Sequence, residues 1–280
     1  MVQNIKSVLI GLTKEFGPDE ASSALGYGLS LAQQAGAHVT VQAASVKLAL
    51  TSAWVSKFAT DLVDAENRRL QELADTAARS AQANAAAAGV ACSIETPHLG
   101  YPDLLNAFRS QARLHDLTIL DAETETVNLD RGLIEALLMD SGRPLLIVPP
   151  GREVFRAKRI ILAWDGSARA ARAAADALPF LRAAEAVDVV SVTGEKDLPD
   201  TVAGAGIAAH LARHDVAATA MNVEAQEGDV AQALRDVADK SRADMIVMGG
   251  YVHSRLRELV FGGVTQSLLR QSSVPLFMAY

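Results

Sequence analysis

Short apolar runs alternate with longer segments of helical periodicity along the first half of the chain. Runs of four to eight apolar residues predict buried strands, and the longer amphipathic segments predict helices. Strands that alternate with helices are typical of an α/β protein with a parallel sheet. The predicted strands of this half are Ser7–Leu12, His38–Ala43, Val90–Ile94, Asp116–Leu120 and Pro144–Pro149.

The same pattern restarts after a segment rich in proline and glycine, residues 149–153, which we interpret as a linker. Lys6–Ile10 matches Lys158–Leu162, and Asp116–Leu120 matches Asp244–Met248. This internal repeat predicts two tandem five-stranded parallel-sheet domains, at residues 1–150 and 155–280. The predicted strands of the second half are Arg159–Trp164, Val187–Val192, Ala217–Val223, Asp244–Met248 and Pro275–Ala279.

Helix ends are predicted from proline, acidic and hydroxyl residues. Pro18 is expected to open the first helix, and Thr51 or Ser52 a long alanine-rich helix over residues 51–88. In the second half, Ser167 is the expected N-cap of a helix that ends near Ala184, and Thr265 begins the last helix. The long helix fits either a surface for a protein partner or a helix with a narrow buried stripe.

Composition narrows the function classes. The 280 residues are 50% hydrophobic and 21% charged, and the net charge of −7 has no basic run beside it, so nucleic acid is not expected as a partner. No apolar run approaches the ~20 residues of a membrane span, and no signal pattern opens the chain. The single cysteine, Cys92, allows no intramolecular disulfide and is interpreted as a small core residue. We therefore expect a cytosolic protein without a membrane partner.

The stretch from Met248 to Thr265 is the main candidate for ligand binding. It runs from a strand through the pair Gly249–Gly250 and a basic loop to the pair Gly262–Gly263 and a helix. Glycine lets a ligand approach the backbone, and a helix start offers unpaired N–H groups to an anion. Glycine pairs also serve as turns, so a phosphate site and a structural turn both remain open.

Other candidate chemistry favours simpler interpretations. Asp121, Glu123, Glu125 and Asp130 suit either a divalent metal or a solvated acidic loop, and the solvated loop is favoured. His253 and Ser254 lack a third residue that would orient them for catalysis. The sequence therefore predicts no catalytic residues and no protein-held metal.

These residues together resemble the universal stress protein family in its tandem form, over nearly all of the chain. Ile161–Ser167 is similar to the opening strand and aspartate turn of the family. In the family's nucleotide motif, Gly249 takes the first glycine position, Val252 the second and Gly262 the third. Val252 and Gly263 depart from the motif, which has glycine and then serine or threonine at these places. A β-branched valine is strained where a glycine has positive φ, and Gly263 lacks a hydroxyl.

The resemblance implies a Rossmann-like fold of the adenine nucleotide alpha-hydrolase type. It implies a stress-response protein whose second half binds ATP or a related adenine nucleotide, with Mg²⁺ alongside and at most weak ATP hydrolysis. Asp165 would bind the base or ribose, although a turn aspartate that caps the helix explains it equally, and Trp164 fits packing better than base stacking. The alternative is a stress protein without nucleotide that acts through contacts with unidentified protein partners. The implied nucleotide-binding residues are Ala163, Trp164, Asp165, Val192, Gly249, Val252, His253, Gly262, Gly263, Val264 and Thr265.

The first half departs further from the family pattern. Leu12-Thr13-Lys14 replaces Trp164-Asp165-Gly166, and Asp121 begins an acidic segment where the glycine loop should be. Carboxylates there would repel a triphosphate, so no nucleotide is expected in this half. Family members commonly pair through the last strand of the sheet. We therefore expect the two halves to pair with each other, with a homodimer of the whole chain as a further option.

Overall fold

The computed structural model describes residues 2–13, 22–50, 56–122, 128–193, 204–250, 252–255, 258–261 and 263–280. The first half contains β1 (Ser7–Leu12), α1 (Ser23–Ala35), β2 (His38–Ala43), β3 (Ser45–Val46), α2 (Lys57–Ala87), β4 (Cys92–Glu95), β5 (His98–Leu99), α3 (Tyr101–Arg113), β6 (Leu117–Asp121), α4 (Asn128–Asp140) and β7 (Leu145–Val148). The second half contains β8 (Arg159–Ala163), α5 (Ala168–Asp176), α6 (Leu178–Leu181), β9 (Ala186–Thr193), α7 (Ala205–Ala212), β10 (Ala218–Glu224), α8 (Val230–Ser241), β11 (Met245–Gly249), β12 (Val252–Arg255), β13 (Glu258–Phe261), α9 (Gly263–Gln271) and β14 (Leu276–Ala279). The predicted α/β class and the strand–helix alternation are confirmed.

Ten strands form one sheet in the order β10-β9-β8-β11-β14-β7-β6-β1-β2-β4. Within each half the five strands are parallel, and their order is third, second, first, fourth, fifth. The last strands of the two halves, β14 and β7, pair antiparallel, with Phe277 beside Leu146. The expected pairing of the two halves is therefore present, and it joins the two predicted sheets into one.

Helices cover both faces of this sheet, and each apolar layer runs through both halves. On the first face, Tyr27 of α1, Ala81 of α2 and Phe180 of α6 belong to one buried cluster with the strands. On the second face, Phe108 of α3, Leu138 of α4, Leu234 of α8 and Leu268 of α9 belong to another. The division at residues 150 and 155 stays a prediction, because both layers cross it.

The segment between the halves contributes an aromatic side chain to the first layer. Phe155 packs edge-to-face on Tyr27 of α1 with ring centroids 5.4 Å apart, and on Phe180 of α6 at 5.9 Å. Phe180 in turn lies 5.5 Å from Phe277 of β14. The Tyr27 hydroxyl donates to the Arg156 carbonyl at 3.3 Å, and burial raises the pKa of this hydroxyl well above its usual range, with the charge of Asp244 acting in the same direction. The predicted linker therefore leads directly into a buried contact between the halves.

One aspartate in each half holds the first strand to the fourth. These aspartates lie at the amino ends of the strands, whereas the candidate site lies at the carboxyl ends. Oδ2 of Asp116 accepts hydrogen bonds from the backbone N–H groups of Lys6 and Ser7 at 2.8 and 3.0 Å. Oδ2 of Asp244 accepts equivalent bonds from Lys158 and Arg159 at 2.9 and 3.0 Å. The alignment had matched these two aspartates, but their role was not predicted from the sequence.

Several predicted boundaries are wrong. Helix α1 begins after its N-cap Ser22 and α2 begins after its N-cap Ser56, whereas the predicted helix openings at Pro18 and at Thr51 or Ser52 lie outside the described residues. Ser167 caps its helix as predicted, but that helix ends at Asp176 and a short α6 follows it. At each of these three helix starts the hydroxyl of the N-cap serine accepts a hydrogen bond from the backbone N–H of the third residue after it, which stabilises the first turn. The third strand lies at Cys92–Glu95, slightly later than predicted.

Candidate functional site

The second half places the ends of three neighbouring strands along one edge of the sheet. Strand β8 lies between β9 and β11, with Leu162 beside Val189 on one side and Val247 on the other. The chain continues from β8 through Trp164, whose N–H donates to the Val190 carbonyl at 2.9 Å. Because these strands are parallel, Asp165 and Gly249 leave the sheet at the same edge. This is the point where the strand order reverses, and ligands of open parallel sheets bind at such an edge.

Asp165 forms a turn and is also exposed to solvent. Its Oδ1 accepts the backbone N–H of Ser167 at 2.9 Å, and Gly166 between them has a φ of 73°. Ser167 Oγ then accepts the N–H of Ala170 at 3.1 Å, which begins α5. The turn role considered for Asp165 is therefore present, and the exposed carboxylate is also accessible from solvent.

The apolar residues predicted to lie near a base are mainly part of the core. Val192 is 6% exposed and belongs to the second-face cluster, against which Ala163 packs partly buried. Trp164 is half-buried against the first-face cluster, so its packing role is observed. Ala163 and Trp164 therefore point to opposite faces of the sheet edge.

Packing explains both members of the first glycine pair. A Cβ on Gly249 would lie 2.7 Å from the backbone N of Ala170, because the first turn of α5 crosses directly over this residue. Gly250 is buried beside Leu138 of α4, which would collide with any Cβ there, and its N–H donates to the Ala279 carbonyl at 2.7 Å. Neither glycine has a positive φ. The first pair thus allows two close approaches within the protein, one of them between the two halves.

The predicted basic loop is a hairpin for the residues that the structure describes. Val252 and His253 lie in β12, which pairs antiparallel with β13 so that Val252 is beside Phe261 and His253 beside Val260. Gly262 lies outside the described residues. A glycine at the Val252 position is therefore not needed for the course of this strand.

The start of α9 combines an open surface with a buried hydroxyl residue. The helix begins at Gly263, two residues before the predicted start. Gly263 is exposed, and apart from its chain neighbours no atom in the described part of the chain lies within 4 Å of a Cβ placed on it, while Val264 is half-buried. Thr265 is 1% exposed and lies inside the first turn, so it neither caps the helix nor presents its hydroxyl to solvent.

The first half fills the matching position with a carboxylate. Asp121 ends β6 where Gly249 ends β11, and its Oδ1 accepts the N–H of Ala24 at 2.9 Å. Its Oδ2 accepts the Ser22 hydroxyl at 2.6 Å, so the carboxylate binds the N-terminus of α1. Glu123 and Glu125 lie outside the described residues. The repeat alignment pairs Asp121 with Gly249, so the sequence marked this position as different in the two halves. The helix that contacts each residue is seen only in the structure.

Arg169, whose charge lies beside the carboxyl ends of the strands, was also not identified from the sequence. The Arg169 guanidinium lies 4.5 Å from the ring centre of Tyr280 and donates to its hydroxyl at 3.2 Å. Arg169 occupies the first turn of α5, next to the residue that approaches Gly249. Among the described residues no group of three or more metal-binding side chains is present, and no helix there is long and apolar enough to cross a membrane.

The strand order, with its reversal next to β8, and the helices on both faces of the sheet define a doubly wound α/β protein built from two fused repeats. Residues 156–279 match the Universal stress protein family. The family match covers the second half of the chain, and two curated relatives that match parts of the chain are stress proteins too.

Two relatives match parts of the sequence. A universal stress protein of Synechocystis sp. is 26% identical over 169 residues, which are 57% of this chain and 56% of the relative. A stress response protein of Bacillus subtilis is 35% identical over 57 residues, which are 20% of this chain and 34% of the relative. The chain thus spans about half or less of the relatives that it matches.

Several solved structures match along almost the entire chain. The crystal structure of a universal stress protein from Archaeoglobus fulgidus covers 97% of both chains with a TM-score of 0.68 and 16% sequence identity. At this identity the match shows the fold alone. It includes the first half, which the family match does not reach.

Proposed function

We propose that this chain is a stress-response protein of two fused universal stress protein repeats, whose second half binds ATP or a related adenine nucleotide as a regulatory ligand. The observation that carries the proposal is the exposed carboxylate of Asp165 at the switch point of the second half. A carboxylate placed there accepts hydrogen bonds from an adenine amino group or ribose hydroxyls. Protein partners would read the liganded and empty forms in a cytosolic setting.

The start of α9 is the proposed phosphate position. Since β11 and β14 are parallel neighbours, α9 begins at the same edge as Asp165 and runs back along the sheet. Its first N–H groups and dipole favour an anion, and the surroundings of Gly263 are open. Backbone groups of Gly263 and Val264 would therefore contact phosphate, and Mg²⁺ would be held mainly by the triphosphate itself. Thr265 contributes through packing.

The first half is proposed to bind no nucleotide. Thr13 stands where Asp165 stands in the second half, and Asp121 supplies its own negative charge to the start of α1. A phosphate bound beyond the end of β6, the strand that matches β11, would lie near this carboxylate and be repelled. One nucleotide per chain is the expected stoichiometry.

The alternative function is protein–protein contact without nucleotide. It is favoured by the packing of Gly249 under α5 and of Gly250 against Leu138, which explains the first glycine pair without any ligand. In that case Asp165 only forms the turn before α5. The two functions differ in what Asp165 substitutions do to ATP binding.

Calorimetric titration of ATP, with and without Mg²⁺, tests the proposal on protein freed of any copurified nucleotide. Asp165→Ala removes both the turn and the charge, whereas Asp165→Asn keeps an acceptor for the Ser167 N–H and removes only the charge. We expect both variants to weaken ATP binding at least ~10-fold, because a hydrogen bond to a charged group contributes ~1.5–3 kcal/mol.

Thr13→Ala is the matched control, because it changes the equivalent position of the first half. It should leave both affinity and stoichiometry as in the wild type. Full affinity in Asp165→Asn would assign Asp165 to the turn alone. No binding at millimolar ATP in the wild type would refute the nucleotide proposal and favour the alternative.

A further inference from the structure

The two ends of the ten-stranded sheet are protected to different degrees. At one end β4 has four residues, Cys92–Glu95, and the C-terminal part of α2 packs over it and β2, where Ala78, Ala81 and Ala85 are buried. At the other end β10 has seven residues, Ala218–Glu224, and none of them is buried. Short length, proline and charged side chains, lysine above all, are among the devices that keep an edge strand from pairing. Strand β10 has no lysine or proline, and its one charged residue, Glu224, stands at its last position.

The backbone of β10 alternates between its neighbour and open solvent. The N–H of Ala225 donates to the Thr193 carbonyl of β9 at 2.8 Å, which fixes the alternation along the parallel pair. Residues 219, 221 and 223 therefore direct their backbone groups to β9, and residues 218, 220, 222 and 224 direct theirs away from the sheet. In the described part of the chain, no hydrogen bond is formed by the outward N–H groups of these four residues.

This strand is complementary to an antiparallel copy of itself. A two-fold axis at Met221 places residue 220 opposite residue 222 of the copy and residue 218 opposite residue 224. All four outward-facing residues then meet outward-facing residues, and each facing pair exchanges two N–H···O bonds. Glu224 meets Ala218, so no like charges face each other, while Thr219 meets Val223 on the other side of the sheet.

We propose that β10 is a self-association surface, through which two copies of the chain join their sheets across a two-fold axis at Met221. The pairing extends to a second copy the same kind of antiparallel contact that β14 and β7 make within the chain. This surface is independent of the proposed nucleotide site, which lies at the carboxyl ends of β8 and β11. A parallel arrangement or an unrelated extended peptide would lack the matched pairs that the two-fold axis supplies.

Sedimentation velocity of the full chain over a range of concentrations tests this proposal. Asn222→Pro removes an N–H that has no role within the monomer, and proline is tolerated on an edge strand whose N–H faces solvent. Because of the two-fold symmetry the dimer loses two hydrogen bonds, and each of the two proline rings crowds the facing strand. We expect the dimer dissociation constant to rise by ~30-fold or more. Asn222→Thr keeps the N–H and favours a strand, so it should dimerise like the wild type.

A second measurement separates loss of dimer from loss of fold. Far-UV circular dichroism should be the same for both Asn222 variants. Hydrogen exchange across residues 218–224 should slow with concentration in the wild type and in Asn222→Thr, but not in Asn222→Pro. A wild type that stays monomeric at several hundred micromolar would overturn the proposal. So would a dimer that survives Asn222→Pro but is lost in Phe58→Ser/Leu62→Ser, since these α2 side chains, 78% and 61% exposed, form a different surface.

Discussion

Gly249→Ala is predicted to destabilise the fold although it adds only one methyl group. The new Cβ would lie 2.7 Å from both the backbone N of Ala170 and the carbonyl carbon of Arg169. These are backbone atoms in the first turn of α5, so no side chain can rotate to make room. The helix start must shift by several tenths of an ångström, and overpacking of this kind costs ~1–3 kcal/mol. We expect a loss of ~2 kcal/mol in the free energy of unfolding.

Gly263→Ala is the matched control, because it makes the same chemical change in open space. Gly263 begins α9, and beyond its chain neighbours no atom of the described residues lies within 4 Å of the added Cβ. Alanine also has the higher helix propensity, so the change should be neutral or slightly stabilising, within ~0.5 kcal/mol. The two glycines belong to the same sequence motif, and only the structure separates them.

Urea unfolding followed by circular dichroism measures both variants under the same conditions. A lower midpoint for Gly249→Ala at an unchanged slope would show a loss of native stability. If Gly249→Ala unfolds at the wild-type midpoint, the close approach of α5 is not as tight as the structure describes. Equal losses in both variants would refute the distinction between a packed and an open glycine.

Two further predictions concern residues away from the site. Asp244→Ala removes the acceptor for the N–H groups of Lys158 and Arg159, and it should lower the free energy of unfolding in urea by ~2 kcal/mol. Asp236→Ala, on the exposed face of α8, is the control and should change this free energy by no more than ~0.5 kcal/mol. Equal effects of the two substitutions would contradict the role of Asp244 in holding the strands. Burial raises the pKa of the Cys92 thiol, so less thiolate is present near neutral pH and reaction with a disulfide reagent should be slower than for free cysteine. The rate should keep rising with pH beyond the range in which free cysteine levels off, and a free-cysteine profile would contradict this.

The strands and the repeat were predictable because burial on both faces imposes a simple pattern. Strands such as Ser7–Leu12 and His38–Ala43 are nearly continuous apolar runs, and the structure has them at the predicted residues. Helix starts were less predictable, because several residues near each start have suitable side chains. Ser22 and Ser56 prevailed because their hydroxyls accept backbone N–H groups in the folded chain.

The hairpin of β12 and β13 was missed for a different reason. Its two strands are separated by Leu256 and Arg257, and this pair lacks the glycine or asparagine that marks a two-residue hairpin turn. The glycines on either side drew the interpretation towards a ligand loop instead. At Gly249 and Gly250 the need for glycine comes from α5 and from Leu138, which are distant in sequence, so no local pattern reveals it.

The two halves share the same framework of strands but differ at one pair of aligned positions, Asp121 and Gly249. This difference fits the different roles proposed for the two halves. The frame itself is common, since Asp116 and Asp244 hold the first strand of each half in the same way. At the opposite edge, Asp121 extends a carboxylate to the start of α1, whereas Gly249 lets α5 settle against the strand end. A carboxylate at the Gly249 position would collide with α5, and a glycine at the Asp121 position would leave the start of α1 without its acceptor. Each residue is thus required by the helix that faces it, and at this aligned position only the first half carries a carboxylate.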